Sequence, residues 1–384
     1  MRILEFIKQN CKDVEFHALG DVCNKNSFKQ IGAGELENLK VNNPKEPIKL
    51  LPSSANYDWI SDREICKDFI CKGEVITLGR ARYANLKYHN GEFISSNNIL
   101  ISAKTGILGK FLYYFIENNK EKFYVATGTY PKFDMKTFDN FKIPVPSLEV
   151  QNKIVEVLDS FTSLERSLER EKLAREKQYK YYLNHLITNA RNSRILKLGE
   201  VGEVKMCKRI LKNQTTKNGE IPFYKIGTFG KNADAFISKE LFENFKEKYS
   251  YPKKGDILIS ASGTIGRSVI FDGEPAYFQD SNIVWLSHDE TKVINKFLYY
   301  FYQLNPWKAT DGGTISRLYN DNVRNTEIPL PPLDEQERIV GILDSLNELA
   351  NGLSAGIPKE IELRQKQYEY WRDRLLEFPS KDSK

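Results

Sequence analysis

The chain states one pattern twice. IPVPSLEVQNKIVEVLDSF from Ile143 returns as IPLPPLDEQERIVGILDSL from Ile328, with ten identities in nineteen positions. KFLYYF at Lys110 recurs unchanged at Lys296, and REKQYKYYLNHLI from Arg175 returns as RQKQYEYWRDRLL from Arg364. LGDV at Leu19 returns as LGEV at Leu198. A period near half of 384 residues means two copies of a whole unit, not a solenoid of small repeats. Whatever the chain does, it is built to do in tandem.

Each copy predicts a globular part followed by a long helix. Leu148 to Leu186 contains no proline and no glycine, and Ile154, Val157, Leu158, Phe161, Leu164 and Leu168 fall at the three–four spacing of a helical seam. The charged middle carries Glu171–Arg175 and Glu176–Lys180 pairs one turn apart, after which Tyr179, Tyr182, Leu183 and Leu186 restore an apolar face. Such a helix is about 60 Å long at 1.5 Å per residue and needs a neighbour. The second copy offers one: Ile339, Ile342, Leu343, Leu346, Leu349 and Leu353 repeat the seam, and Tyr368, Trp371 and Leu375 repeat the distal face. Prolines precede both helices (Pro146 and Pro332), and acidic residues follow in the first turn, where the helix dipole favours them. Gly352, Gly356 and Pro358 predict a kink or break in the second. Two long helices packed antiparallel are expected, although each could instead cover only its own domain. ILEFIKQN precedes LGDV as LNHLITNA precedes LGEV, which predicts that the two termini meet in a cyclic arrangement.

The resulting expectation is an α+β protein. Residues 1–145 and 189–330 form two similar mixed α/β domains, 146–188 a central helical region, and 331–384 a distal helical region and tail. GEVITL, GDILIS and SNIVWLS read as short strands, and KFLYYF as a short helix in both copies. A mean hydropathy of −0.51 and no long apolar run argue against a membrane span, and the first ten residues do not read as a signal peptide. Five cysteines, an odd number without a CxxC pair, argue against a disulfide framework or zinc knuckle and suit a reducing cytoplasm.

Motifs for catalysis are missing. The four histidines (His17, His89, His185, His288) lie at no metal-ligand spacing, and no GxGxxG, P-loop or GxSxG occurs. No catalytic, cofactor-binding or metal residue is therefore predicted. A net charge of +6 suits a polyanionic partner. Candidate DNA contacts in the first domain are Arg80, Arg82, Tyr83, Lys87, Tyr88 and His89, because cations can reach phosphates and base edges while aromatics pack on sugars. Gly128-Thr129-Tyr130-Pro131-Lys132 aligns with Gly313-Thr314-Ile315-Ser316-Arg317. Such a turn can offer backbone N–H groups and a cation to a phosphate, through Thr129 with Lys132 and Thr314 with Arg317. A shared structural turn would look the same. Lys225, Thr228, Ser260, Ser262, Thr264 and Arg267 complete the set.

The IPxPxLxxQxxIVxxLD and RQKQYEYWRDRLL blocks, with the LGE start, resemble the specificity (S) subunit of type I restriction–modification systems over nearly the whole chain. The resemblance implies two target-recognition domains, each reading one half of a bipartite double-stranded DNA site, and paired helices that act as a spacer ruler. It further implies a subunit without catalytic activity of its own, which recruits two modification subunits and, in some assemblies, restriction subunits. S-adenosylmethionine, ATP and Mg²⁺ would be bound by those partners. The first helix lacks the Gly-Ile-Pro of 356–358, so it departs from a symmetric pattern. Two other readings stand beside this one: a coiled-coil adaptor with incidental basic charge, and a self-sufficient DNA methyltransferase or nuclease.

Overall fold

The computed structural model describes residues 2–11, 14–55, 58–80, 85–127, 130–308, 317–352 and 356–378. Six helices carry the argument: α1 (Arg2–Asn10), α2 (Gly109–Asn119), α3 (Leu148–Thr188), α4 (Asn295–Gln303), α5 (Leu333–Asn351) and α6 (Ile357–Leu376). The chain divides into two units, Met1–Leu168 with Ile361–Lys384, and Glu169–Glu360. The expected break after the second seam falls between α5 and α6, with Gly352 capping α5. No helix among the described residues is long and apolar enough to cross a membrane.

In the first unit a mixed sheet runs, edge to edge, through Cys23–Lys25, Asn98–Ala103, Cys71–Gly79, Lys87–Ser96, Pro47–Leu51 and Ile60–Asp62, with Gln30–Ile31 also paired to Lys87–Ser96. Ile76, Leu78 and Ile101 from this sheet share a core with Phe111, Leu112 and Ile116 of α2. Val150, Ile154 and Leu158 of α3, Leu375 and Leu376 of α6, and Ile7 of α1 join the same core. The two ends of the chain therefore belong to one core. The KFLYYF segment is apolar on most of its surface because it is enclosed, with Phe111, Leu112, Tyr114 and Phe115 all buried.

Polar groups set the angle between α2 and α3. Gln151, fully buried, accepts from the Leu108 N–H at 2.8 Å and donates to the carbonyls of Gly106 (3.1 Å) and Pro146 (2.8 Å). Buried amides are tolerated when satisfied in this way. Asp159 receives Lys110 Nζ at 2.8 Å and the Tyr114 hydroxyl at 2.5 Å. Burial, then the Asp159 carboxylate, pushes the Tyr114 phenol pKa up. From α6, Tyr368 donates to Glu117 at 2.6 Å and Gln365 to Glu165 at 2.7 Å. Gln365 meets Glu165, while Leu375 shares the core of Ile154 and Leu158, so α3 and α6 run antiparallel here.

The second unit repeats this scaffold. Gln336, also fully buried, accepts from the Ile294 N–H at 2.9 Å and donates to Lys292 O (3.0 Å) and Pro331 O (2.9 Å). Asp344 receives Lys296 at 2.6 Å and the Tyr300 hydroxyl at 2.5 Å. Tyr179 of α3 donates to Gln303 at 2.7 Å, the counterpart of Tyr368 on Glu117. The helix closing each unit thus comes from the other copy of the sequence repeat. Arg191 N–H, just past α3, donates to Glu335 in the first turn of α5 at 3.3 Å, so these helices are antiparallel as well. The small strand pairs Glu15–Ala18 with Lys142–Val145 and Arg194–Lys197 with Glu327–Leu330 are a further matched set. Both LG(D/E)V segments are closely packed at their glycine, where a Cβ would lie 3.2 Å from that of Asp139 at Gly20 and of Arg324 at Gly199.

The sheets differ more. The second unit has a four-stranded sheet in the order Gly202–Lys205, Ile283–His288, Ile257–Ser260, Ser268–Ile270. A three-stranded one follows the order Phe236–Ile237, Ile221–Tyr224, Tyr277–Phe278. Of the residues expected to pack along the helices, Ile154, Leu158, Leu168, Tyr179, Ile339, Leu343 and Leu375 are buried, and Phe161, Leu346, Tyr368 and Trp371 partly so. Leu164, Tyr182 and Leu349 are a correction, since they stand exposed at 39%, 36% and 41%. A three–four seam drifts around a straight helix of 3.6 residues per turn, and these positions have rotated out of the contact. Leu353 lies outside the described residues.

Candidate nucleic-acid interface

Parallel pairing of Ile221–Tyr224 with Tyr277–Phe278 brings the loops that follow both strands to one end of the second unit. Gln279 N–H donates to Tyr224 O at 2.9 Å, and Ile226 N–H to Gln279 Oε1 at 3.0 Å. The loop after Gly202–Lys205 arrives at the same place with Arg209 and Lys212. Together they enclose a cleft of about 550 Å³. Its lining includes four cations, Arg209, Lys212, Lys225 and Arg317, against one carboxylate, Asp280, with Thr215, Gln279, Ser281 and Asn282 between them. Clefts lined with one sign of charge concentrate the opposite sign.

The wall is held by specific bonds. Ser281 has a φ of +58°, uncommon for a side chain with a Cβ. Arg317 Nη2 donates to Ser281 O at 2.9 Å. Asp280 accepts from Arg209 Nε at 2.9 Å and from the Ser281 hydroxyl at 3.2 Å. Asn282 Oδ1 accepts from the Ser262 hydroxyl at 2.8 Å, tying the Ser-Gly-Thr-Ile-Gly turn to the rim. Lys225 pairs with Asp234 at 2.8 Å, and the Thr228 hydroxyl closes its turn through Lys225 N and O.

Several sequence candidates thus converge: Lys225 and Arg317 line the cleft, Ser262 bonds to its rim, and Thr228 shapes the adjacent turn. Thr264 is exposed on the neighbouring turn. Ser260 is corrected to a structural role: it is buried, donates to Thr264 O at 2.5 Å and accepts from the Arg267 N–H at 2.9 Å. Arg267 is engaged internally, with Nη1 on Phe229 O at 2.9 Å. Arg209, Lys212, Gln279 and Asp280 line the cleft as well, although no sequence motif singles them out. They lie in loops or, for Lys212, at the start of a short 3-10 helix, and only their position in the fold marks them.

In the first unit Arg80 and Lys132 are exposed, and their segments meet where the Phe133 N–H donates to Arg80 O at 3.2 Å; Arg80 Nη2 also donates to Asn98 O at 3.4 Å. Lys87 requires a correction. It is 3% exposed, and its ammonium donates to the carbonyls of Pro52 (2.7 Å) and Ser54 (2.5 Å) rather than facing solvent. Burial, with Lys49 nearby, lowers its pKa to about 8. Tyr88 and His89 are half-buried and engaged within the protein, Tyr88 on Glu74 at 2.5 Å and His89 on Glu92 O at 3.0 Å. Burial lowers the His89 pKa. Arg82, Tyr83, Thr129 and Thr314 lie outside the described residues.

Comparison with known proteins gives a consistent likeness. The family model for the type I restriction modification DNA specificity domain matches twice, at residues 11–175 and 191–363. A chain of Haemophilus influenzae, named as a candidate type I restriction enzyme specificity subunit, is 45% identical over 356 residues, 88% of this chain and 92% of the relative. A type I restriction enzyme specificity subunit of Escherichia coli is 30% identical over 297 residues, 71% and 72% of the two chains. Among solved structures, a chain from a study of type I R-M complex assembly and conformational transition superposes with a TM-score of 0.60 at 18% identity, covering 94% of this chain and 97% of that one. The S subunit of M. genitalium superposes with a TM-score of 0.57 at 13% identity, covering 96% and 98%. At those identities the structural likeness is one of fold.

Proposed function

The chain belongs to the type I restriction–modification DNA specificity family, and from that premise we propose that each unit reads one half of a bipartite DNA site while the long helices set the distance between the halves. It is a specificity subunit with two target-recognition domains. The observation that best supports the division of labour is the repeated clamp. Gln151 and Gln336, then Asp159 and Asp344, hold α2 on α3 and α4 on α5 with the same bonds, while the sheets beyond them differ. Equal mounts under unequal faces suit a protein that presents two readers of different sequence. The basic cleft of the second unit and the Arg80–Lys132 edge of the first are the proposed DNA-facing surfaces.

In this reading the subunit performs no chemistry. It docks two modification subunits along the helices, in the cytoplasm, and restriction subunits where the assembly cleaves. S-adenosylmethionine, ATP and Mg²⁺ belong to those partners. The purified chain should bind random duplex with an affinity that falls steeply with salt, through counterion release. Incubated alone with DNA, S-adenosylmethionine and Mg²⁺ it should give no methyl transfer, and transfer should appear when the modification subunit is added. Turnover by the chain alone would favour an enzyme, and loss of all DNA binding at low salt would favour an adaptor.

A further inference from the structure

Resting on the reading just given, we propose that Arg209 is a base-reading side chain of the second recognition domain, that Asp280 positions it, and that the base it reads is a guanine. The Arg209 side chain is 68% exposed, yet its Nε is fixed on Asp280 Oδ2 at 2.9 Å, and the Asp280 side chain is only 15% exposed. An exposed arginine ordinarily samples many rotamers. One tethered through Nε has already lost much of that freedom and still presents both terminal nitrogens. Among the described residues these terminal nitrogens have no partner within the protein. Two parallel donors match O6 and N7 of guanine in the major groove, whereas adenine places a donor at N6.

The other cations of the cleft are arranged differently. Lys225 is paired with Asp234, and Arg317 has one terminal nitrogen committed to Ser281 O. Lys212 has no ion-pair partner among the described residues, which suits a phosphate contact. Arg209 is a poor phosphate ligand by comparison. The carboxylate beside it offsets its charge while leaving its donors in place, so hydrogen-bond geometry rather than net charge is what it offers. Asp280 is in turn braced by the Ser281 hydroxyl at 3.2 Å, next to the left-handed backbone at Ser281. Strained backbone that the surrounding bonds over-determine is a recurrent feature of binding sites.

The test is to co-express the full chain with the modification subunit of its own system and map methylated adenines across DNA. Wild type, Arg209→Ala, Arg209→Lys, Asp280→Ala, Asp280→Asn and Lys212→Ala are compared. Arg209→Ala and Arg209→Lys should each lose preference for guanine at one position of one half-site, by about ten- to a hundred-fold, with the other half-site unchanged. Asp280→Ala should relax the same position, and Asp280→Asn, which keeps an acceptor for Nε, should restore most of the preference. Lys212→Ala should keep the motif and lower the salt dependence of binding by about one counterion. The proposal is overturned if both Arg209 variants keep the wild-type motif, if the relaxed position is not a guanine, or if Arg209→Ala abolishes methylation while Arg209→Lys leaves the motif intact. A wild-type complex with no bipartite motif would instead sink the reading on which the proposal rests.

Discussion

Single side chains separate the open surface from the interior that holds it. Lys87 and Arg209 are both cations in recognition domains, but Lys87 is enclosed on two carbonyls while Arg209 is open to solvent. Burial lowers the Lys87 pKa to about 8 from an ordinary 10.5. A depressed folded pKa makes the unfolded chain bind the proton more tightly between those two values, so stability rises with pH across that window. The stabilising contribution is present above about pH 10.5 and is lost as pH falls through 8. Urea unfolding at pH 7.5, 9 and 10.5 should therefore show wild type gaining roughly 2–4 kcal/mol relative to Lys87→Met across that range. Parallel profiles would mean that Lys87 is solvated. The sequence led astray here because a lysine at the start of a strand reads as polar surface. Nothing local reveals that the Pro52–Ser54 carbonyls will enclose it. Ser260 misled for the same reason.

Helices were the legible elements. The three–four apolar spacing, proline starts and Gly352 break all have local physical causes and occur twice, so α3, α5 and α6 could be drawn from the sequence alone. The convergence of Arg209 on Asp280 could not, because it depends on a 71-residue separation closed by strand pairing. The helices also carry an asymmetry. Tyr368 donates to a carboxylate, Glu117, whereas its counterpart Tyr179 donates to an amide, Gln303. Hydrogen bonds to charged groups are worth about 1.5–3 kcal/mol and neutral ones about 0.5–1.5 kcal/mol. Tyr368→Phe should accordingly destabilise the first unit more than Tyr179→Phe destabilises the second, as read by hydrogen exchange on α2 and on α4. Equal effects would mean that the two clamps are energetically alike despite their different acceptors.

At the scale of the whole molecule, the duplication has produced units whose closing helix is borrowed from the other repeat, and α1 and α6 share the first unit's core. Chain ends in one core predict that joining residues 2 and 378 by a short linker, and opening the chain at the exposed turn near Asn218, leaves both units folded. Near-native circular dichroism and unchanged unfolding midpoints would bear this out, and aggregation of the permuted chain would speak against it. The central claim is stricter: two readers held apart by a rod of set length. Its most direct measurement is the spacer in the methylated motif after insertion of four residues into α3 and four into α6, about 6 Å of added helix. The account predicts the same two half-sites with the spacer longer by roughly one to two base pairs, at ~3.4 Å each. Methylation at the original spacing would contradict it.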